Sequence, residues 1–201
     1  MTNHLAAATA LANRYHAMRH GQSQANAAGL IVSSIARDRA GDYGLTAVGR
    51  EQALAAAAAC GLPAGTLVVT SDFARARQTA EIARDRLGAA PATVSPALRE
   101  RFFGELDGGP VSGYPLVWAA DAAGDETGAY GAEPAAAVLD RTTALVAALE
   151  RRHAGADILL VSHGDPLQIL QTGFARVPPS RHRDLPHLET AEIRPLRLAA
   201  G

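Results

Sequence analysis

Two histidines in this chain stand before glycine at the end of an apolar run. Arg19-His20-Gly21 closes "RYHAMRHG", and Ser162-His163-Gly164 closes "DILLVSHG". A third run, "TLVVTS" at 66–71, leads into Ser71-Asp72, with Arg75 and Arg77 one turn into the segment that follows. An arginine offers an oxyanion a permanently charged planar fork, and a histidine can act as base or nucleophile near neutral pH. Arg19, Arg75, His20 and His163 on one crevice would suit a multiply charged oxyanion, of which phosphate is the commonest. Nearby cations disfavour protonation of an imidazole and so keep it nucleophilic. A second imidazole across the anion can hydrogen-bond the equatorial oxygens as charge moves onto them. The glycine after each histidine lets the backbone turn sharply and expose its N–H. A further pair, Arg181-His182, lies in "VPPSRHRDLP" with no strand before it and reads as surface loop; Arg77 reads as a helix-surface residue. Asp72 and Asp165 are the only carboxylates placed at these run ends, and no HxxxH or Cys/His pattern is present, so no metal and no cofactor are expected.

The elements that would carry these groups alternate. "RYHAM" (14–18), "TLVVTS" (66–71), "ATVS" (92–95) and "DILLVS" (157–162) read as strands, the second as a continuous β-branched run buried on both faces and the last as the clearest of them. "LTAVGREQALAAAAAC" (45–60) reads as a helix with Thr46 as N-cap and Gly61 as stop, and "FARARQTAEIARDRLG" (73–88) as a helix ended by Gly88. Helical spacing recurs over 133–153 and in "PLQILQTGF", with a shorter helix near Trp118. "ETAEIRPLRL" (189–198) reads as a final strand, at an edge because of Pro195. The expectation is an α/β fold: a mainly parallel central sheet flanked by helices on both faces, with an antiparallel edge strand. Ligands of such sheets bind at the carboxyl ends of the strands, where the histidines and arginines lie.

With 201 residues, 48 % of them hydrophobic, the chain suits a single domain over 1–201. Residues 1–12 read as a loose N-terminal extension and 104–134 as an excursion over the sheet. All nineteen cationic residues are arginine, set against 20 Asp and Glu for a net charge of −1. That balance points to neither nucleic acid nor an anionic membrane as partner. The lone Cys60 rules out an internal disulfide. No signal-peptide pattern and no run near a membrane span are present, so a cytoplasmic protein is expected. No heptads or interface stripe decide whether it forms a homo-oligomer.

Taken together, these stretches resemble the histidine phosphatase superfamily, which includes the cofactor-dependent phosphoglycerate mutases. "RHGQSQAN" is similar to R-H-G-E-S-x-x-N, "LTAVGREQA" to the L-T-x-x-G-x-x-Q-A helix start, and "SDFARARQTAE" to S-x-x-x-R-A-x-Q-T-A. "LRERFFGELDG" and "VSHG" follow in the family's order, and the set spans roughly 14–165. The resemblance implies a phosphoglycerate mutase-like fold and a metal-independent phosphomonoesterase of the histidine acid type. His20 would become a phosphohistidine, while Arg19, Arg75 and His163 clamp the phosphoryl group. Gly21, Ser23, Asn26 and Gly164 would complete the cradle, and Glu100 would protonate the leaving group and then activate water. Gln22 stands where many members carry Glu. Glu133 occupies a position that is often acidic in the family, although helix capping explains it equally well.

Hydrolysis is favoured over mutase chemistry on two counts. Phe103 stands where the mutase motif has tyrosine, and the stretch from Gly104 to Pro134 holds no lysine or arginine. It carries Glu105, Asp107, Asp121, Asp125 and Glu126 instead, from which a small-molecule phosphomonoester without further heavy negative charge is expected. Phosphoglycerate mutase-type transfer and a non-catalytic phospholigand-binding domain stand as alternatives.

Overall fold

In the computed structural model, which describes residues 2–199, five strands form one sheet in the order β3-β2-β4-β1-β5. Strands β1 (Arg14–Arg19), β2 (Leu67–Thr70), β3 (Thr93–Val94) and β4 (Asp157–Ser162) run parallel; β5 (Ile193–Leu196) pairs antiparallel with β1 at the edge. All six residues of β4 are buried, as its unbroken apolar run requires of a central strand. Pro195 sits in β5, whose outer side needs no ladder donor.

Helices cover both faces. One face carries α3 (Ala47–Ala59) and α4 (Ala74–Leu87), where Ala53, Ala57, Ala80 and Ala83 pack on Met18, Val68, Leu159 and Val161. Small side chains let the helices sit close, so a core nearly free of aromatics still closes. Thr46 caps α3 by accepting from the Gly49 N–H at 3.0 Å, and Gly88 ends α4 in the left-handed region. The other face carries α6 (Ala135–Glu150) and α7 (Gly164–Ala175), with Val146, Leu149, Leu167, Leu170 and Phe174 over Tyr15, Ala17, Ile158 and Leu160. Two short helices, α1 (Gln24–Ala28) and α2 (Ile35–Ala40), follow β1, and α5 (Tyr114–Ala122) lies within 104–134. That stretch forms a small core of its own from Phe103, Val117 and Ala132 against Ile31. Among the described residues, no helix is long and apolar enough to cross a membrane.

The N-terminal stretch is not loose. Leu5 is fully buried in the α6/α7 core, Asn3 Nδ2 donates to the Gly173 carbonyl at 3.1 Å, and the His4 N–H donates to Thr143 Oγ1 at 3.2 Å. Leu5 stands between His4 and a run of three alanines with no period of its own, so this docking has no local signature. Leu5→Ala is expected to lower stability by about 2–4 kcal/mol in urea unfolding and leave kcat unchanged, since this segment docks at the Gly173 end of α7 and the strand ends meet its Gly164 end.

Candidate active site

Sheet register brings the two histidines together. In the adjacent parallel strands β1 and β4, Arg19 lies opposite Ser162, so the next residue of each chain leaves the sheet at the same level. The His20 N–H donates to the Ser162 carbonyl at 2.9 Å, and the two imidazole centroids lie 5.2 Å apart, edge to face. On the other side of β4, β2 ends in step, with Thr70 opposite Val161 and the Ser71 N–H donating to the Val161 carbonyl. One turn into α4, Arg75 reaches back and donates from Nε to His20 Nε2 at 3.0 Å. Both histidines and Arg75 are buried.

The partners set the tautomer of His20. Its Nδ1 faces the Gly21 carbonyl at 2.8 Å, which can only accept, so Nδ1 carries the proton and Nε2 presents a lone pair. Burial, then the charges of Arg75 and Arg19, hold the ring well below the usual histidine range. His163 is likewise held neutral, first by burial and then by Arg75. Its Nε2 meets Ser71 Oγ at 3.0 Å. That hydroxyl already accepts from the Phe73 N–H, so its own proton is best given to Nε2, which leaves Nδ1–H free. Nδ1 has no protein partner and lies 3.8 Å from Glu100 Oε2.

Glu100 is buried rather than lying on the surface beside Arg99 and Arg101. Its Oε2 lies 3.5 Å from Arg75 Nη2 and its Oε1 accepts from the Arg101 N–H at 3.1 Å. Burial pushes its pKa up to about 7, against the pull of Arg75, and the charge of Asp165 adds to the rise. Arg99 instead pairs with Asp72 at 2.6 Å.

The cradle residues divide. A Cβ on Gly21 would lie 2.3 Å from the Gly49 carbonyl oxygen, and one on Gly49 would lie 2.0 Å from the Gln22 carbonyl oxygen. Close approach of the two backbones therefore demands glycine at both sites. The Gly21 N–H donates to Thr79 Oγ1 at 3.1 Å, and Gly21 does not line the cleft. Gly21 thus orients His20, and its donor, expected in the cradle, is engaged by α4. Ser23 caps α1 and donates from Oγ to Asn26 Oδ1 at 3.0 Å, which leaves Asn26 Nδ2 as the free donor of that pair. Gln22 turns away, its Oε1 accepting from Thr46 Oγ1 at 2.9 Å. Gly164 opens α7 with an N–H that no helical carbonyl can take.

Arg19, His20, Ser23, Asn26, Arg75, Glu100 and Gly164 all line one cleft at the strand ends. A profile of the histidine phosphatase superfamily (branch 1) matches residues 16–201. The chain belongs to the histidine phosphatase superfamily. It is 31 % identical to glucosyl-3-phosphoglycerate phosphatase of Mycolicibacterium vanbaalenii over 80 % of this chain and 73 % of that protein. It is 34 % identical to the probable phosphoglycerate mutase GpmB of Yersinia enterocolitica, over 84 % of this chain and 77 % of the relative. The solved structure of mycobacterial glucosyl-3-phosphoglycerate phosphatase with VO3 superposes with a TM-score of 0.77 at 27 % identity, covering 90 % of each chain. Phosphoryl transfer through a phosphohistidine is the chemistry this histidine phosphatase shares with them.

Several groups around the cleft escaped the sequence. Asp38 of α2 is buried, accepts from the Ala74 N–H at the start of α4 at 2.9 Å, and lies 3.6 Å from Arg75 Nη1, so it both positions α4 and faces the clamp. Arg101 is fully buried. It donates to Asp121 Oδ2 at 2.6 Å and to Asp165 Oδ2 at 3.2 Å, tying α5 to the head of α7. Trp118 Nε1–H donates to Asp165 Oδ1 at 2.8 Å, and its ring stacks on Tyr114 at 5.4 Å. Three expectations from the sequence do not hold. None of the acids expected over the site lines the cleft: Asp107 accepts from Ser33, Ser34 and Arg37, Asp121 pairs with Arg101, Asp125 accepts from Thr127, and Glu105 and Glu126 are exposed. Lying outside the cleft, they give no ground for a substrate poor in negative charge. Glu133 caps nothing but pairs with Arg141 at 2.8 Å. Of the pair read as surface loop, Arg181 is exposed but His182 is fully buried, with Nε2 3.7 Å from Asp165 Oδ1. Beyond it, Arg183 and His187 line the mouth of the cleft.

Proposed function

We propose that the protein hydrolyses small-molecule phosphomonoesters through a phosphohistidine on His20 Nε2, with Glu100 as proton donor and no metal. The observation that carries this reading is a neutral, lone-pair-bearing His20 Nε2 held 3.0 Å from Arg75 Nε, in a cleft that also holds a carboxyl group titrating near 7. Arg19, Arg75, the Gly164 N–H and Asn26 take the phosphoryl oxygens, and His163 Nδ1–H strengthens its bond as charge gathers on them. Arg75 Nε–H passes from Nε2 to a phosphoryl oxygen, and the freed Nε2 lone pair forms the P–N bond as the P–O bond to the alcohol breaks. The departing oxygen takes the proton of Glu100. Water then gives a proton to the Glu100 carboxylate as its oxygen attacks phosphorus. The P–N bond breaks, its electron pair returns to Nε2, and phosphate leaves. The two cationic arginines supply the charge stabilisation that metals provide elsewhere.

Hydrolysis, rather than return of the phosphoryl group to a bound acceptor, is supported by the relatives named as phosphatases and by Phe103 in the place of the mutase tyrosine. A panel of phosphomonoesters assayed for released phosphate, with and without EDTA, tests it. Release should be unaffected by the chelator. Loss of activity in EDTA, or isomerisation of 3-phosphoglycerate outrunning phosphate release, would overturn the reading.

A further inference from the structure

The mouth of the cleft holds a cation that the chemistry above does not use. Arg183 stacks flat on Trp118, its guanidinium carbon 3.8 Å from the ring centroid. Trp118 is itself held on its other face by Tyr114, with the two rings within 5° of parallel, and at its edge by Asp165. A three-layer stack therefore fixes the plane of the guanidinium before any ligand arrives. Arg183 Nη1 donates to Gln168 Oε1; its Nε and Nη2 have no protein acceptor, and no carboxylate pairs with it, among the described residues. Of the two carboxylates lining the cleft, Glu100 faces Arg75, and Asp165 has both oxygens occupied by Trp118 and Arg101.

His187 lies beside it. Its Nε2 accepts from Arg19 Nη1 at 2.7 Å, so its proton is on Nδ1, and that buried N–H has no protein acceptor. The open Nε/Nη2 edge of Arg183 and the orphan donor of His187, both on residues that line the cleft, lack the same thing: a planar anion.

We propose that Arg183, with His187 beside it, forms a subsite for a carboxylate on the alcohol portion of the substrate, so that the preferred substrates are phosphorylated hydroxy acids. This rests on the hydrolytic reading for the site of phosphoryl transfer, but makes its own claim about binding. The fork takes the carboxylate side-on, and the Trp118 stack keeps it from collapsing onto the phosphoryl oxygens. The substrate's second charge, excluded on the composition of 104–134, is thus met by residues 183 and 187.

Trp118 is the chain's single tryptophan, so its fluorescence reports on this wall directly. The test titrates His20→Ala protein, which binds without turnover, with 3-phosphoglycerate and with glycerol 3-phosphate, which replaces the carboxylate by a hydroxymethyl group. The carboxylate ligand should bind roughly ten- to fiftyfold more tightly, as expected of a charged hydrogen-bonded pair. Arg183→Met should erase the difference, and Arg183→Lys should keep part of it. In the active protein the same split should appear in kcat/KM. Equal binding of the two ligands, or equal weakening of both by Arg183→Met, would overturn the subsite. Selective binding in a protein that releases no phosphate from any ester would support the subsite and sink the hydrolytic reading instead.

Discussion

His20→Ala should abolish both the covalent intermediate and turnover, with a fall in kcat of roughly 10⁴-fold or more. Nothing nearby can stand in for the missing nitrogen. The other imidazole, His163, has its centroid 5.2 Å away and its Nε2 engaged by Ser71, while its Nδ1 is the proton-bearing atom. Rapid acid or alkali quench after mixing with a radiolabelled phosphomonoester measures the intermediate. A phosphohistidine survives alkali and is lost in acid, so the label should follow that pattern in the native protein and be missing from His20→Ala. Because His20 is buried, the variant's circular dichroism and unfolding midpoint must be recorded alongside. Label of undiminished yield in a folded His20→Ala protein would place the nucleophile elsewhere and remove the basis of the proposed mechanism.

Glu100→Gln should lower kcat/KM by roughly 10²- to 10⁴-fold for esters of poorly leaving alcohols, and far less for p-nitrophenyl phosphate. The amide cannot give a proton to a departing alkoxide, whereas a nitrophenolate needs none. The pH profile carries the same signature. With the Glu100 pKa at about 7, the protonated form required for the first step disappears above that value. kcat/KM should therefore fall about tenfold per pH unit on the alkaline side, and Glu100→Gln should remove that limb. His20 adds no limb near neutrality, since burial and Arg75 keep it unprotonated well below the ordinary histidine range. A retained alkaline limb in Glu100→Gln would assign the proton to another group.

The same raised pKa has a consequence for stability. A carboxyl whose folded pKa lies above its unfolded value holds its proton more tightly in the native state. Its contribution is complete below the ordinary carboxylate range and is lost as pH rises through about 7. Above that, the native protein buries an ionised carboxylate that Gln does not carry. Glu100→Gln should consequently melt at a higher temperature than the native protein at pH 8, with the advantage shrinking at pH 5, the pattern of a site that gives up stability for chemistry.

The alternation of strand and helix, the strand at 157–162, the caps at Thr46 and Gly88 and the edge strand at Pro195 were legible because each rests on local rules: hydrophobic period, capping oxygens, left-handed glycine and a missing donor. The pairing of Arg-His-Gly with Ser-His-Gly was legible too, since both sit at ends of apolar runs and parallel sheets present such ends together. What the neighbours of those groups do was decided by tertiary contact alone. Gly21 gave its donor to Thr79, Asp38 came from a helix with no apolar period, and Asp107, Asp121 and Asp125 found partners outside the cleft. Arg183 and His187, in a stretch with no regular pattern, reached the mouth because Arg101 and Asp165 anchor the wall against which they pack. Period and capping are properties of a few consecutive residues, whereas the pairing of a charge depends on whichever partner the folded chain brings within about 4 Å.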